Sequence, residues 1–355
     1  MKNLETQIYL LSGNLNSGKT TALQKFIKRQ ASVNGFLSPE INGKRHFQHI
    51  QSNAFYPMEK PHGGYEIGRY SFDKDVFDKV ASEFQKMLNS EEKYLILDEI
   101  GPLEVRKNQG FHDLLLQIES GNFKPKIIIL VLRNHLINEF LSKYKFEKIK
   151  IISTATLQNN NIQLPDGLVL AGGQSTRMQA DKALIPYHKM PQFKYVEKLL
   201  NYFCDKVHIS INPQQAQKME FIGENIIVDN PNFQGHGPMT ALMSAVNQIS
   251  NKALMYIACD YPNLDAESLF ELINQRISTS EATYFIKNER IEPMIALLEP
   301  AAICKLKSFF EAGNDSMYKF LHTINGNYIA LKDENTLLQI NSKEELKNLK
   351  FGDDE

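Results

Sequence analysis

An apolar run, Ile8 to Leu11, passes directly into Gly13-Asn-Leu-Asn-Ser-Gly18-Lys19-Thr20, and no other feature restricts the fold of this chain so tightly. The segment fits G-x-x-x-x-G-K-[ST], a loop in which glycines let backbone N–H groups converge on phosphate oxygens without a side chain in the way. The spacing predicts a strand before the loop and a helix over Thr21 to Arg29 after it. Apolar runs at Tyr94 to Leu97 and Ile127 to Leu132 have the length and β-branched content of buried strands. Between Leu11 and Tyr94, Val76, Phe77, Val80, Phe84, Met87 and Leu88 repeat at helical spacing. Strands alternating with helices predict a three-layer α/β domain around a parallel sheet.

The loop chemistry assigns roles. Gly13 and Gly18 open the backbone to phosphate, Lys19 neutralises β- and γ-phosphate charge, and the Thr20 hydroxyl faces a magnesium ion. The strand Tyr94 to Leu97 ends in Asp98-Glu99. Asp98 is expected to hold the same Mg2+, and Glu99 to orient or deprotonate a water attacking the γ-phosphate. Gly13 to Thr20, Gly35 to Arg45 and Asp98-Glu-Ile-Gly-Pro-Leu-Glu104 together resemble the small P-loop nucleoside-triphosphatase family first recognised in thermophiles, over most of residues 6 to 156. That resemblance implies NTP hydrolysis or nucleotide phosphorylation with broad base choice, and places Glu40 and Arg45 near the phosphates. Residues 46 to 70 carry glycines and aromatics without an assignable pattern, and His46 and His49 read as surface.

A polar Gln-Asn-Asn-Asn run closed by Pro165 divides the chain, predicting a P-loop NTPase domain over 1–157, a linker over 158–165 and a second domain over 166–355. The second region again alternates strands, at Leu168 to Ala171, Val207 to Ile211, Ile226 to Val228 and Leu254 to Ala258, with helices at Tyr195 to Tyr202 and Met239 to Ile249. Its opening, Leu170-Ala-Gly172-Gly173-Gln-Ser-Thr-Arg177-Met-Gln-Ala-Asp181-Lys182, ends a strand in paired glycines and follows with two cations. A nucleotide can lie against bare backbone there, while Arg177 and Lys182 pair with phosphate oxygens and Lys182 meets the charge that builds on the α-phosphoryl group. Asp260 closes the strand Leu254 to Ala258 where open α/β sheets bind ligands, a suitable place for a magnesium ligand.

This stretch resembles the MobA-like nucleotidyltransferases, specifically molybdenum cofactor guanylyltransferase. Ile209-Ser-Ile-Asn212, Ile227-Val-Asp229, Gly235-His-Gly-Pro238, Ala258-Cys-Asp260, Glu292-Pro-Met294 and Gln339-Ile-Asn341 extend the likeness over about residues 166 to 350. It implies a Rossmann-like α/β nucleotidyltransferase domain in which Leu170, Ala171, Gly172, Lys182, Asn212, Asp229 and Asp260 contact nucleotide. The implied partners are GTP or another NTP, Mg2+, a molybdopterin-type acceptor, and molybdoenzymes that receive the product. Two positions depart from the family pattern: Gln179 replaces a glycine, and Met239-Thr-Ala241 follows Gly237-Pro238. A CTP-using or other-acceptor transferase, and a nucleotide-driven switch or scaffold for cofactor delivery, are the competing readings.

Composition narrows the classes further. Net charge is -1, with a small basic surplus before the linker and an acidic one after it, so neither half carries the dense basic stripe of a nucleic-acid binder. No apolar run approaches the roughly 20 residues of a membrane helix, and the polar start lacks an apolar leader, which predicts a cytoplasmic protein without membrane partners. Cys204, Cys259 and Cys304 form no C-x-x-C pair and read as buried, reduced thiols.

Overall fold

A computed structural model describes residues 6–121, 123, 126–158, 162–173, 181–221, 223, 225–249, 252–340 and 345. The chain separates into two compact units, Met1–Ile162 and Gln163–Glu355. Both are mixed α/β.

In the first unit the elements run β1 (Gln7–Gly13), α1 (Lys19–Ile27), β2 (Val33–Leu37), β3 (Glu40–Ile41), β4 (Lys44–His49), β5 (Phe55–Pro57), β6 (Tyr65–Ile67), β7 (Tyr70–Phe72) and α2 (Lys74–Met87). They continue with β8 (Tyr94–Ile100), α3 (Pro102–Lys107), α4 (His112–Ser120), β9 (Ile127–Arg133), α5 (Ile137–Lys143) and β10 (Ile149–Ile152). The sheet order is β10, β1, β9, β8, β2, β4, β3, with β5 beside β4. The five strands from β10 to β2 are parallel. Ile128 to Leu132 on β9 are all buried, as a strand covered on both faces requires. Helix α2 starts where Asp73 accepts from the Asp75 N–H at 3.1 Å, and it buries Phe77, Val80, Phe84 and Met87 along one face.

The second unit contains β11 (Asp166–Leu170), α6 (Gln192–Asn201), β12 (Val207–Ile211), β13 (Ile226–Val228), α7 (Pro238–Val246) and β14 (Leu254–Ala258). It ends with α8 (Ala266–Asn274), β15 (Ala282–Lys287), β16 (Arg290–Leu298), α9 (Pro300–Glu311), α10 (Met317–Thr323) and β17 (Gly326–Ala330). Its sheet order is β13, β12, β11, β14, β16, β15, β17. Strands β13 to β14 are parallel, and β16 is antiparallel to both its neighbours. The chain leaves β11 on one side towards β12 and returns on the other as β14. The order therefore reverses beside β11, and a crevice opens at the C-terminal ends of these strands.

Two expectations need correction. Cys204 and Cys259 are buried, but Cys304 is exposed, because α9 turns Ala302 and Leu306 inward and leaves the intervening Cys304 and Lys305 facing water. The patternless stretch after Arg45 forms β4 to β7, antiparallel strands whose hydrogen bonds run between neighbours rather than through long apolar runs.

Candidate functional site

In the first unit, Gly18 precedes α1 at φ 78°, a left-handed conformation that glycine adopts without steric cost. Lys19 Nζ donates to the carbonyls of Gly13 at 3.0 Å and Asn14 at 2.8 Å, closing the loop on itself. Burial lowers the Lys19 proton affinity, which Asp98 opposes and Arg133 reinforces. Thr20 Oγ1 donates to Asp98 Oδ2 at 3.3 Å, and the Ser38 N–H donates to the same oxygen at 3.0 Å. Asp98 is buried, which pushes its carboxyl up against these hydrogen bonds.

Glu99 next to it takes φ 73°, unusual for a side chain with a Cβ, where the β8–β9 register shifts between Leu97 and Ile100. The shift delivers its carboxylate to Ser38 Oγ at 3.2 Å, to the Arg45 guanidinium, and to Arg133 Nη2 at 3.7 Å. Glu104, the last residue of the Asp98–Glu104 motif, stays away from this cluster. It accepts from the N–H groups of Gly101 at 2.8 Å and Phe111 at 2.9 Å, fixing the loop behind the site. Its burial pushes the carboxyl up to about 7.

In the second unit, the strand ends frame a cleft of about 930 Å³. Leu170, Ala171, Gly172, Lys182, Asn212, Asp229 and Asp260 all line it, with the Gly235–Pro238 loop on the rim. Arg177, also expected here, lies outside the described residues. Gly172 sits so close to its neighbours that a Cβ would stand 2.7 Å from Asp229 Oδ2 and 3.2 Å from the Asn212 nitrogen. A larger residue would have to push the Asp229 carboxylate and the Asn212 backbone aside. The Gly172 carbonyl accepts from Asn212 Nδ2 at 3.0 Å, and Asp229 Oδ1 accepts from Ser210 Oγ at 2.6 Å. Burial raises the Asp229 carboxyl.

Asp260 follows β14 and reaches the cleft floor. Its Oδ1 is buried with no hydrogen-bond partner, and burial pushes the carboxyl up to about 6 against the pull of Lys182. A buried carboxylate oxygen without a donor is costly unless a cation completes it.

One organising residue escaped the sequence reading. Gln215 is buried, and its Nε2 donates to the Ala171 carbonyl at 2.8 Å and to both Asp181 oxygens at 2.9 and 3.1 Å. Its Oε1 accepts from the Asn212 N–H at 2.9 Å. Asp181 in turn accepts from the Ala183 N–H, capping the short turn Lys182–Leu184. Gln215 thereby ties the ends of β11 and β12 to the segment that carries Lys182. Only the Asn-Pro-Gln-Gln run hinted at it, as an Asn-Pro turn.

A phosphate loop at a strand–helix turn with an acidic strand end, and a glycine-floored cleft at a strand-order reversal, define two nucleotide-handling α/β units. Comparison with known families agrees in each. Residues 8–166 match the family described as NTPase, and residues 167–327 match the MobA-like NTP transferase domain. The chain therefore joins an NTPase domain to a MobA-like NTP transferase domain, and it is an enzyme of the nucleotidyltransferase class. A molybdenum cofactor guanylyltransferase of Serratia proteamaculans is 29% identical over 182 residues, covering 50% of this chain and 90% of that protein. A "Probable molybdenum cofactor guanylyltransferase" of Bacillus mycoides is 25% identical over 184 residues, covering 50% and 92%. The crystal structure of THEP1 from Aquifex aeolicus is similar at 17% identity and TM-score 0.34, covering 42% of this chain and 89% of that one. Among the described residues no helix is long and apolar enough to cross a membrane.

Proposed function

We propose that residues 166–355 transfer the guanylyl group of GTP to the phosphate of molybdopterin, releasing pyrophosphate, and that residues 1–157 hydrolyse a nucleoside triphosphate. The segment 158–165 joins the two. The observation that carries the transferase reading is the partnerless Asp260 oxygen on the same cleft as Gly172, Asn212, Asp229 and Lys182. Among the described residues no group of three or more His, Cys, Asp or Glu gathers as a metal cage. A single carboxylate suits Mg2+, which takes one or two protein carboxylates and fills its shell from phosphates and water. Asp260 would hold it in the second unit, and Thr20 with Asp98 in the first. When bound, the ion neutralises triphosphate charge and polarises the phosphoryl oxygens.

The residues of the cleft divide the rest of the work. Leu170, Ala171 and Gly172 offer backbone to the nucleotide, and Asn212 and Asp229 are set to read sugar or base through hydrogen bonds. An acceptor phosphate oxygen attacks Pα as the bond to the β-phosphate oxygen breaks, and that electron pair leaves with pyrophosphate. Lys182, with Arg177, stabilises the charge on the α-phosphoryl oxygens during this exchange. The direct test incubates the full chain with α-labelled GTP or CTP, Mg2+ and molybdopterin. Label is expected on the acceptor from GTP with one pyrophosphate per transfer. Label from CTP alone would reassign the base, and no labelled acceptor with either nucleotide would remove the proposal.

A further inference from the structure

The NTPase half contains a charge arrangement that the phosphate loop and the acidic strand end do not account for. Arg133 is the last residue of β9, and in the β1–β9 ladder it stands opposite Gly13, where the phosphate loop begins. Arg45 approaches from β4, on the far side of β8 and β2 in the same sheet. Both guanidinium groups meet one atom, Glu99 Oε1, with Arg45 bonded to it and Arg133 Nη2 at 3.7 Å. All three side chains remain about a quarter to a third exposed, at 27%, 32% and 27% for Arg45, Arg133 and Glu99, so they face the site mouth rather than the core.

We propose that Arg133, assisted by Arg45, is an arginine supplied by this same chain to the γ-phosphoryl oxygens of a bound nucleoside triphosphate, and that Glu99 is its resting counter-ion. This inference rests on the reading of the first unit as an NTP-hydrolysing site. Three cationic side chains, Lys19, Arg45 and Arg133, converge with two carboxylates, Asp98 and Glu99. Like charges gathered in a partly dry site repel, and Arg45 and Arg133 meet at a single carboxylate oxygen. A polyanion relieves that repulsion. The left-handed backbone of Glu99 points the same way, since strain of this kind persists where the surroundings hold a side chain in a required position.

The arrangement also couples two tasks. While the arginines pair with Glu99, its Oε1 is occupied by them. When they turn to the γ-phosphate oxygens, Glu99 keeps its bond to Ser38 Oγ and is freed to accept a proton. The oxygen of water then bonds to Pγ as the bond from Pγ to the β-phosphate oxygen breaks. The water proton passes to Glu99, and the bonding pair leaves on the nucleoside diphosphate beside Lys19. The planar guanidinium groups meet the equatorial oxygens in the transition state, where an arginine in this role contributes roughly 10³-fold or more in kcat.

The test uses the full chain with Arg133→Ala, Arg133→Lys and Lys19→Ala, measuring γ-phosphate release from GTP and ATP, nucleotide affinity, thermal unfolding, and retention of nucleoside diphosphate with aluminium fluoride. Arg133→Ala is expected to lose roughly 10³-fold in kcat with KM within about fivefold of wild type, and to lose the aluminium fluoride complex while still binding the diphosphate. Arg133→Lys is expected to recover less than a tenth of wild-type kcat, because a point charge does not replace a two-pronged donor. Retained kcat within threefold in either variant, or a loss confined to KM, overturns the inference. If Arg133→Ala does not fold, the lysine variant and its aluminium fluoride complex decide the matter. Hydrolysis that survives Lys19→Ala would instead remove the reading of the phosphate loop on which the inference rests.

Discussion

Replacing Gln215 by leucine keeps the volume of a buried side chain and deletes its polar end. The Ala171 carbonyl, the Asn212 N–H and the Asp181 carboxylate each lose a partner. A buried hydrogen bond contributes about 1 kcal/mol net, so the loss is about 3 kcal/mol, rising if the freed groups stay dry. With a urea slope of about 2 kcal/mol/M, the unfolding midpoint of the second unit falls by roughly 1.5 M. The cysteines allow that unit to be read by itself, because all three lie in it and Cys204 and Cys259 are buried. Pulsed thiol labelling across a urea series, in a Cys304→Ser background, therefore follows the second unit without interference from the first. Pyrophosphate release is expected to fall at least tenfold, since Asp181 and the turn bearing Lys182 lose their tie to the ends of β11 and β12, and Asp181 keeps the Lys218 pair. A midpoint within about 0.3 M of the parent, or full activity, would refute the organising role of Gln215.

Lys19→Ala is expected to abolish γ-phosphate release while pyrophosphate release stays within about threefold of wild type; loss of both in parallel assays would show that one site serves both reactions. Glu104 has its carboxyl raised to about 7 from an ordinary value near 4.5 by burial, so the folded protein keeps a proton that the unfolded chain has already lost in this window. Its contribution is complete below pH 4.5, declines as pH rises to 7 and is flat above, by about 3 kcal/mol in all. Hydrogen exchange of the first unit should show this decline in wild type and a flatter profile in Glu104→Gln; parallel profiles would contradict it.

The parts of the fold that announce themselves in sequence are those whose burial is continuous. β8, β9, β11 and β14 are runs of apolar residues covered on both faces, and α2 repeats its core residues at helical spacing. The strands β3, β5, β6 and β7 hold two or three residues each with mixed exposure, too short for a period to emerge. β16 was hidden for another reason. It lies between β14 and β15 yet contains Pro293, which a central strand ordinarily rejects. The β15–β16 register shifts between Tyr284 and Ile286, and the Pro293 carbonyl accepts from Tyr256 Oη at 2.8 Å, so the local irregularity absorbs the missing donor.

Site residues follow a similar rule. Glycines and lysines of the two loops carry their chemistry in their type and spacing, and the cleft of the second unit brings the expected residues together except Arg177, which is outside the described chain. Gln215 and Arg133 act through where the backbone carries them. A glutamine after Asn-Pro reads as a turn, and an arginine at a strand end reads as a solvated cap. Neither reading changes until β11 is laid beside β12, or β1 beside β9.

The most direct measurement counts products from a single reaction: pyrophosphate, inorganic phosphate and guanylylated acceptor formed from GTP, Mg2+ and molybdopterin by wild type, Lys182→Ala and Asp260→Asn. Pyrophosphate equal to guanylylated acceptor in wild type is expected, with both reduced by roughly 10²-fold or more in each variant while inorganic phosphate release persists. Pyrophosphate formation that is unchanged in both variants would contradict the assignment of nucleotidyl transfer to this cleft.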